Sequence, residues 1–232
     1  MKALLLATLL AQAVLPSLAH YTFPKLFIGS PPTVLADWAA VRKTLNADTG
    51  APLTDPTSPL MRCYETNTAA LTATYTINAG NIVGFKSNVP VDHPGHMSIY
   101  MAKALPYASS EAAGSGNVWF KVAQWSPTVT AGSWNFPSQG QQSFQFTLPL
   151  CLPNGDYLVR IEHIALHAAA SYGGAQYYLA CGQIKVVNGG NGTPSPLVSI
   201  PGLYTGNEPG ILTNIYYGTT SYVPPGPPVW TC

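Results

Sequence analysis

The sequence predicts an all-β fold, an antiparallel β-sandwich, from three observations. Short runs of β-branched and alternating residues recur along the chain, as at 71–77 (LTATYTI). Turn residues separate these runs at short intervals, for example at 153–155 (PNG) and 188–190 (NGG). No helical patterns are interposed between the runs, which is typical of sandwiches rather than of alternating α/β folds.

The predicted elements follow in chain order. A short helix is expected at 36–44 (ADWAAVRKT), with Trp38 and Val41 on one side, and a turn at 78–81. The Pro- and Gly-rich tail 194–232 should wrap over the sandwich in an ordered path, held by a disulfide at Cys232. The predicted strands cover residues 71–77, 82–86, 98–101, 118–122, 143–148, 157–166 and 176–187.

The first nineteen residues have the pattern of a secretory signal. Lys2 precedes an apolar run at 3–15, and small residues lead to Ala19. The run is shorter than the roughly 20 residues of a membrane-spanning helix. We therefore expect removal of residues 1–19, a secreted extracellular protein, and a single domain at 20–232 that begins with His20.

Composition excludes some partners and favours others. Only 8% of the residues are charged, with 10 basic and 9 acidic side chains. Such a surface has no electrostatic attraction for nucleic acid or anionic lipid. We expect neither a nucleic-acid nor a membrane partner, and a monomer. A neutral exterior with many of the 13 tyrosines suits uncharged polymers such as polysaccharides.

The cysteines and one sequon fit secretion. An even number of cysteines in a secreted chain predicts two disulfides, here with three possible pairings. No two are spaced as Cys-x-x-Cys, which argues against a zinc knuckle or a thioredoxin-type site. Asn191 begins the only N-glycosylation sequon, Asn-Gly-Thr. The four cysteines are Cys63, Cys151, Cys181 and Cys232.

Several residues have the chemistry of metal ligands. A free N-terminal His20 would carry an amine and an imidazole, so this one residue can chelate a metal. His93 lies in a His-Pro-Gly-His loop, in which Pro and Gly fix a tight turn. Gln176 and Tyr178 are two apart in a predicted strand and therefore share one face. His167 shares a face with His163, and either of these could be an ordinary core histidine.

An ordered set of motifs runs from His20 to the C-terminus. Their positions are 83–85 (VGF), 92–95 (DHPG), 100–101 (YM), 155–162 (GDYLVRIE), 164–167 (IALH), 173–178 (GGAQYY), 181–184 (CGQI), 201–204 (PGLY) and 209–211 (PGI). This set resembles the fungal lytic polysaccharide monooxygenases of auxiliary-activity family nine, which attack cellulose. The resemblance implies an immunoglobulin- or fibronectin-like antiparallel β-sandwich with long loops and short helical segments.

The resemblance also implies a copper site, with one copper per chain. His20 would bind through its amine and one ring nitrogen, His93 would supply the third nitrogen, and Tyr178 would be axial. His167 and Gln176 would hold the oxidant by hydrogen bonds. Three nitrogen donors in a plane suit Cu(II). An α-amine has a pKa of about 7.7–8.0, so it deprotonates near neutral pH at modest cost and can then bind the metal, whereas an amide nitrogen cannot do this.

Further roles are implied at the substrate face and in the disulfides. Tyr204 would stack on a sugar ring. The family pairs cysteines equivalent to Cys63 and Cys181, which leaves Cys151 with Cys232. Three places depart from the family. His96 replaces a common proline and would lie near the binding face, and His163 stands where an apolar or amide residue is usual and has no implied role. Residues 39–40 are alanines where many relatives have a surface aromatic residue.

The implied reaction is oxidative cleavage of β-1,4-glucan at C1 or C4, with an external electron donor and O₂ or H₂O₂. A glycoside hydrolase would instead need two placed carboxylates. The acidic residues are scattered, and Glu162, in a strongly patterned strand, is better interpreted as a structural partner for Arg160 or a backbone group. A non-catalytic carbohydrate-binding module would also suit a neutral β-sandwich with exposed tyrosines. A secreted copper-storage or chaperone protein would bind the metal without acting on polysaccharide.

Overall fold

The computed structural model describes residues 20–232, so the predicted signal segment 1–19 lies outside the described residues. Within 20–232 there are two 3₁₀ turns, Pro59–Met61 and Ala69–Leu71, and no helix able to span a bilayer. The strands are β1 (Lys25–Gly29), β2 (Pro32–Val34), β3 (Tyr75–Asn78), β4 (Ile82–Lys86), β5 (Gly95–Lys103), β6 (Asn117–Trp125), β7 (Thr128–Thr130), β8 (Ser133–Asn135), β9 (Ser143–Thr147), β10 (Gly155–Ala165), β11 (Gln176–Val187) and β12 (Val198–Ser199).

The strands form a sandwich of two sheets, as predicted. One sheet has the order β2-β1-β4-β9, the other has the order β12-β6-β5-β10-β11-β3, and β7 and β8 form a separate hairpin. Every strand pair is antiparallel except β3 with β11. The turn between β3 and β4 carries the chain from the larger sheet to the smaller one, so these two consecutive strands lie in different layers.

The six-stranded sheet is buried on both faces. Along β10, Val159 and Ile161 point into the core between the sheets, and Leu158 and Ile164 point into a second core on the outer face. This alternation is the two-residue period of a strand. Loops and the C-terminal tail cover the outer core with Met61, Cys63, Ala108, Ala113, Ile200, Tyr204, Ile211 and Ile215.

The tail follows the predicted ordered path. It supplies β12, and near its end the Trp230 backbone N–H donates to the Lys121 carbonyl at 2.8 Å. The Trp230 ring packs edge-on against Phe120 with centroids 5.4 Å apart. The final residue is fixed by a disulfide between Cys151 and Cys232. The other disulfide joins Cys63 to Cys181, so both predicted pairings are present.

The predicted helix at 36–44 is wrong. Trp38 has a left-handed φ of 60°, which ends any helical turn there. The Ala40 carbonyl accepts from the Gln183 N–H at 2.8 Å, and the Arg42 N–H donates to the Cys181 carbonyl at 2.9 Å. The segment thus bridges to β11 beside β3. A helix this short is marginal alone, so hydrogen bonds to the sheet decide its conformation.

Candidate metal centre

The register of the six-stranded sheet brings distant segments to one edge. Ala165, the last residue of β10, pairs with Gly95 at the start of β5 and with Gln176 at the start of β11. His93 lies two residues before β5, and His167 lies two residues after β10. These segments therefore meet at the same end of the sandwich although they are far apart in sequence.

Three aromatic rings surround one point at this end. The His20 and His93 ring centroids are 6.3 Å apart, and the Tyr178 centroid is 6.3 Å from His20 and 5.8 Å from His93. A metal ion can bind one nitrogen of each imidazole at about 2.0 Å. Each ring centroid lies a further half ring-width from its nitrogen, so the two centroids would then be separated by a distance comparable to the one observed between His20 and His93. The arrangement can therefore hold a metal ion between His20 and His93.

The imidazoles of His93 and His167 stack with centroids 4.0 Å apart. His93 Nε2 and His167 Nδ1 are buried and have no hydrogen-bond partner. A buried polar atom left unpaired is costly, so such atoms point to a ligand that satisfies them. Burial, followed by the neighbouring His167, lowers the pKa of His93 to about 4. His93 is therefore neutral near pH 7 and offers a nitrogen lone pair to a metal.

Tyr178 and Gln176 lie on the same face of β11, as the two-residue period of a strand predicts. The Tyr178 hydroxyl donates to Gln176 Oε1 at 2.9 Å. Burial raises the pKa of Tyr178, so the phenol keeps its proton. On its other side the Tyr178 ring stacks on Tyr21, with centroids 4.2 Å apart and planes inclined by 25°. Since the Gln176 oxygen is engaged, its amide N–H groups remain available to donate.

The donor set is completed only by the backbone nitrogen of His20. Among residues 20–232, no three His, Cys, Asp or Glu side chains lie close enough to hold a metal together. His20 and His93 supply two imidazoles, and the third nitrogen of a planar site would be the His20 amine. The residues present thus fit a copper ion bound by three nitrogens, provided that the chain begins at His20.

The expectation that His96 lies near the binding face is wrong. His96 is the second residue of β5 and points into the outer core, where its side chain is fully buried. Its Nδ1 shares a hydrogen bond with the Ser126 hydroxyl at 3.2 Å, and its ring lies 6.0 Å from that of Tyr222. Because Gly95 begins the strand, His93 stays in the loop while His96 follows the alternation of β5 into the interior.

The prediction that Tyr204 stacks on a sugar ring is also wrong. Tyr204 is only 3% exposed and packs in the outer core. Its hydroxyl donates to Glu162 Oε1 at 2.7 Å and lies 2.9 Å from the Tyr100 hydroxyl. Glu162 in turn accepts from Arg160 at 2.6 Å, as its predicted structural role requires. Tyr204 therefore belongs to a buried polar network.

Exposed aromatic residues lie elsewhere, two of them in the same tail. Tyr216 and Tyr217 are 74% and 85% exposed, and Tyr172, in the loop between β10 and β11, is also exposed. The Thr213 N–H donates to the Ala169 carbonyl at 2.9 Å, which ties this part of the tail to the loop that follows His167. Adjacent tyrosines before Gly218 were the sequence signal that could have identified them.

Among solved structures, the fold is similar to a cellulose-active polysaccharide monooxygenase from M. thermophila. The TM-score is 0.76 at 25% identity, over 91% of this chain and 99% of that one. It is also similar to HiLPMO9B, with a TM-score of 0.74 at 27% identity, over 92% of this chain and 100% of that one. The class of protein is therefore the lytic polysaccharide monooxygenases, oxidoreductases that cleave polysaccharides.

The chain belongs to Auxiliary Activity family 9, formerly GH61, whose family model matches residues 20–222. It is 53% identical over 219 residues to the AA9 family lytic polysaccharide monooxygenase D of Phanerodontia chrysosporium, over 92% of each chain. It is 45% identical over 226 residues to monooxygenase H of Malbranchea cinnamomea, over 97% of each chain. The resemblance stated from the sequence motifs is therefore confirmed.

Proposed function

We propose that this protein is a copper-dependent monooxygenase that oxidatively cleaves the β-1,4-glucan chains of cellulose at C1, C4 or both. The observation that carries the proposal is the unpartnered, buried Nε2 of His93, whose ring lies 6.3 Å from that of His20. His20 would hold the copper through its amine and one ring nitrogen, His93 would hold it through Nε2, and Tyr178 would lie beside it. When bound, copper supplies one-electron redox chemistry with an external donor and O₂ or H₂O₂.

The surrounding residues would orient the oxidant and control protons. The Tyr178 phenol is hydrogen-bonded to Gln176 and its raised pKa keeps it protonated, so it would be a neutral group beside the copper. The Gln176 amide N–H groups and the unpartnered Nδ1 of His167 are free to hydrogen-bond the oxidant. Such preorganised polar groups need no rearrangement during the reaction.

The proposal depends on cleavage after Ala19. Until residues 1–19 are removed, the nitrogen of residue 20 is an amide and cannot bind copper as an amine does. The family match supports this start, because it begins at residue 20. We infer that the mature protein is the single domain 20–232 and is extracellular, where its two disulfides are stable.

Cellulose is the substrate that the surface favours. His20 is exposed, so a copper held there would be reachable by a chain in an insoluble crystal. The exposed rings of Tyr172, Tyr216 and Tyr217 are suited to stacking on sugar rings, and the near-neutral charge suits an uncharged polymer. The solved relative from M. thermophila is described as cellulose-active, which supports the same substrate class.

We further infer a monomer that carries one N-linked glycan. Asn191 is exposed in the loop after β11, within the sequon Asn-Gly-Thr. A glycan there would not block the metal centre, because Asn191 follows the far end of β11 from Gln176. A mass shift on deglycosylation of the secreted protein, absent in Asn191→Gln, would establish it.

The test is mass spectrometry of products released from cellulose with copper and ascorbate. The secreted protein that begins at His20 should release oligosaccharides with aldonic-acid ends for C1 attack or 4-keto ends for C4 attack. His93→Ala and a variant with one added Met before His20 should release almost none. Full activity of the Met-extended protein would refute the proposal.

Two further outcomes would indicate a different class of protein. Unoxidised oligosaccharides released without copper would indicate a hydrolase. Binding to cellulose without products, when copper and reductant are present, would indicate a carbohydrate-binding module. A sample treated with a metal chelator serves as the matched control for both.

A further inference from the structure

A buried tyrosine and a buried histidine meet directly behind His20. The Tyr21 hydroxyl and His163 Nδ1 share a hydrogen bond of 2.5 Å, and both side chains are fully buried. His163 lies on β10 opposite Tyr178 of β11 and faces the interior between the two sheets. The contact thus joins the residue after His20 to β10, one of the two central strands of the larger sheet.

The hydrogen bond to Tyr21 explains why residue 163 of β10 is a histidine. The other ring nitrogen of His163, Nε2, has no partner and lies against Gly95. A Cβ on residue 95 would be 2.6 Å from this nitrogen and closer still to the Ile164 carbonyl oxygen, so the glycine makes room for both the ring and the neighbouring strand. Burying an imidazole costs free energy that an apolar side chain would not. The single hydrogen bond to Tyr21 therefore indicates that His163 has a specific role at this position.

Tyr21 is held by more than this bond. Its ring stacks on Tyr178 at a centroid distance of 4.2 Å. The next residue, Thr22, donates its N–H to Asn88 Oδ1 at 2.8 Å and accepts from the Asn88 N–H at 3.1 Å. Terminal residues of a domain usually fray unless they are tied down. These contacts fix the backbone immediately after His20.

We propose that the Tyr21–His163 hydrogen bond positions His20, so that its backbone nitrogen and ring face His93 in a geometry ready for copper. The inference rests on the proposed function and adds two positioning residues to it. A chelating residue at a chain end would otherwise lose conformational freedom on binding, and preorganisation removes that cost. Residues behind metal ligands typically change metal affinity 10- to 100-fold when mutated.

The test measures Cu(II) binding to protein whose N-terminal sequence begins at His20, after removal of bound metal. Titration calorimetry gives the affinity, and the Cu(II) electron paramagnetic resonance spectrum reports the ligand geometry. Tyr21→Phe and His163→Leu should each weaken Cu(II) binding about 10-fold and alter the spectrum. The double variant should be no weaker than either single variant, because both remove the same bond. His163→Asn, which keeps a polar atom two bonds from Cβ, should recover part of the affinity.

Tyr157→Phe is the matched control. Tyr157 lies six residues before His163 on the same face of β10, about 20 Å away, and its buried hydroxyl donates to the Pro153 carbonyl at 2.9 Å. This variant should lower the melting temperature of the metal-free protein without changing the Cu(II) affinity or spectrum. If the control weakens copper binding as much as Tyr21→Phe does, the effect is general destabilisation and the inference is wrong.

The remaining outcomes separate the inference from the proposed function. If the unmodified protein does not bind Cu(II) tightly, the proposed function itself fails. If it binds tightly and Tyr21→Phe retains the same affinity and spectrum, only the positioning role is overturned. Tyr21→Phe removes a single oxygen atom, so it decides the question even if His163→Leu does not fold.

Discussion

Gly50 lies directly against His20, where a Cβ on residue 50 would be 2.9 Å from the His20 Cβ and 3.1 Å from its carbonyl carbon. The backbone of Gly50 has a φ of 68°, which glycine adopts without steric cost. The Gly50 N–H donates to the Asn46 carbonyl at 2.7 Å, and the Asn46 side chain donates to the Ala51 carbonyl at 2.6 Å. This closed loop forms the surface on which His20 rests.

Gly50→Ala should therefore displace His20 and weaken Cu(II) binding about 10-fold, as a change behind a ligand typically does. Gly116→Ala is the matched control, because Gly116 has a φ of 83° and open space around its Cα. Both variants should lose about 1 kcal/mol of unfolding free energy to the positive φ. Titration calorimetry compares the affinities, and equal values for the two variants would show that Gly50 does not position His20.

Tyr204→Phe should destabilise the protein without affecting cellulose binding. The variant removes the hydroxyl that donates to Glu162, and a hydrogen bond to a charged group contributes about 1.5–3 kcal/mol. Tyr217→Ala should have the opposite effects, because the Tyr217 ring is 85% exposed. This variant should reduce adsorption to cellulose and leave the melting temperature unchanged. Urea unfolding and cellulose pull-down assays measure the two effects. Weaker adsorption of Tyr204→Phe would restore a substrate role for this residue.

Replacing Cys151 and Cys232 together by serine should release the end of the tail. The disulfide joins residues 81 apart, and loss of such a link typically lowers the unfolding free energy by about 2–4 kcal/mol. We expect faster proteolysis within the tail 194–232 and a lower urea midpoint. Unchanged values for both would mean that Trp230 packing and its backbone bond to Lys121 hold the tail alone.

The stability of the protein should fall as the pH rises above about 10. Burial raises the pKa of Tyr157 from its ordinary value of 10.0 to about 12. Between these values the unfolded chain loses the phenolic proton while the folded chain keeps it, so unfolding becomes more favourable with rising pH. Tyr157→Phe lacks this proton and should show a shallower decline in urea-unfolding free energy between pH 9 and 11. A slope identical to that of the unmodified protein would contradict the assignment.

The strands that the sequence predicts best are those with strong local patterns. The predicted bounds of 82–86 and 176–187 match β4 and β11. The segment 71–77 is only partly right, because Leu71 ends a 3₁₀ turn and the strand begins at Tyr75. The short strands β1 and β2 were missed, since each depends on pairing with its neighbours rather than on its own residues.

The candidate site could be predicted where a local sequence pattern identifies a residue with metal-binding chemistry. His20 after a signal pattern and the His93-Pro-Gly turn could be identified from the chain alone, and the structure brings both to one point. The contact of Tyr21 with His163 could not, because the two residues are 142 positions apart and meet only after β10 enters the sheet. His96 and Tyr204 were misplaced for the same reason: their exposure depends on which face of the fold covers them.

By itself the sequence determined the class of fold, the family and the residue types of the metal centre, because period-two patterns and ordered motifs are local properties of the chain. The tertiary structure alone decided which polar side chains face solvent and which are buried. Tyr204 became part of a polar network with Glu162, and His163 became the partner of Tyr21. The physical reason is that burial is a property of how two layers and a tail pack, and no single segment contains that information.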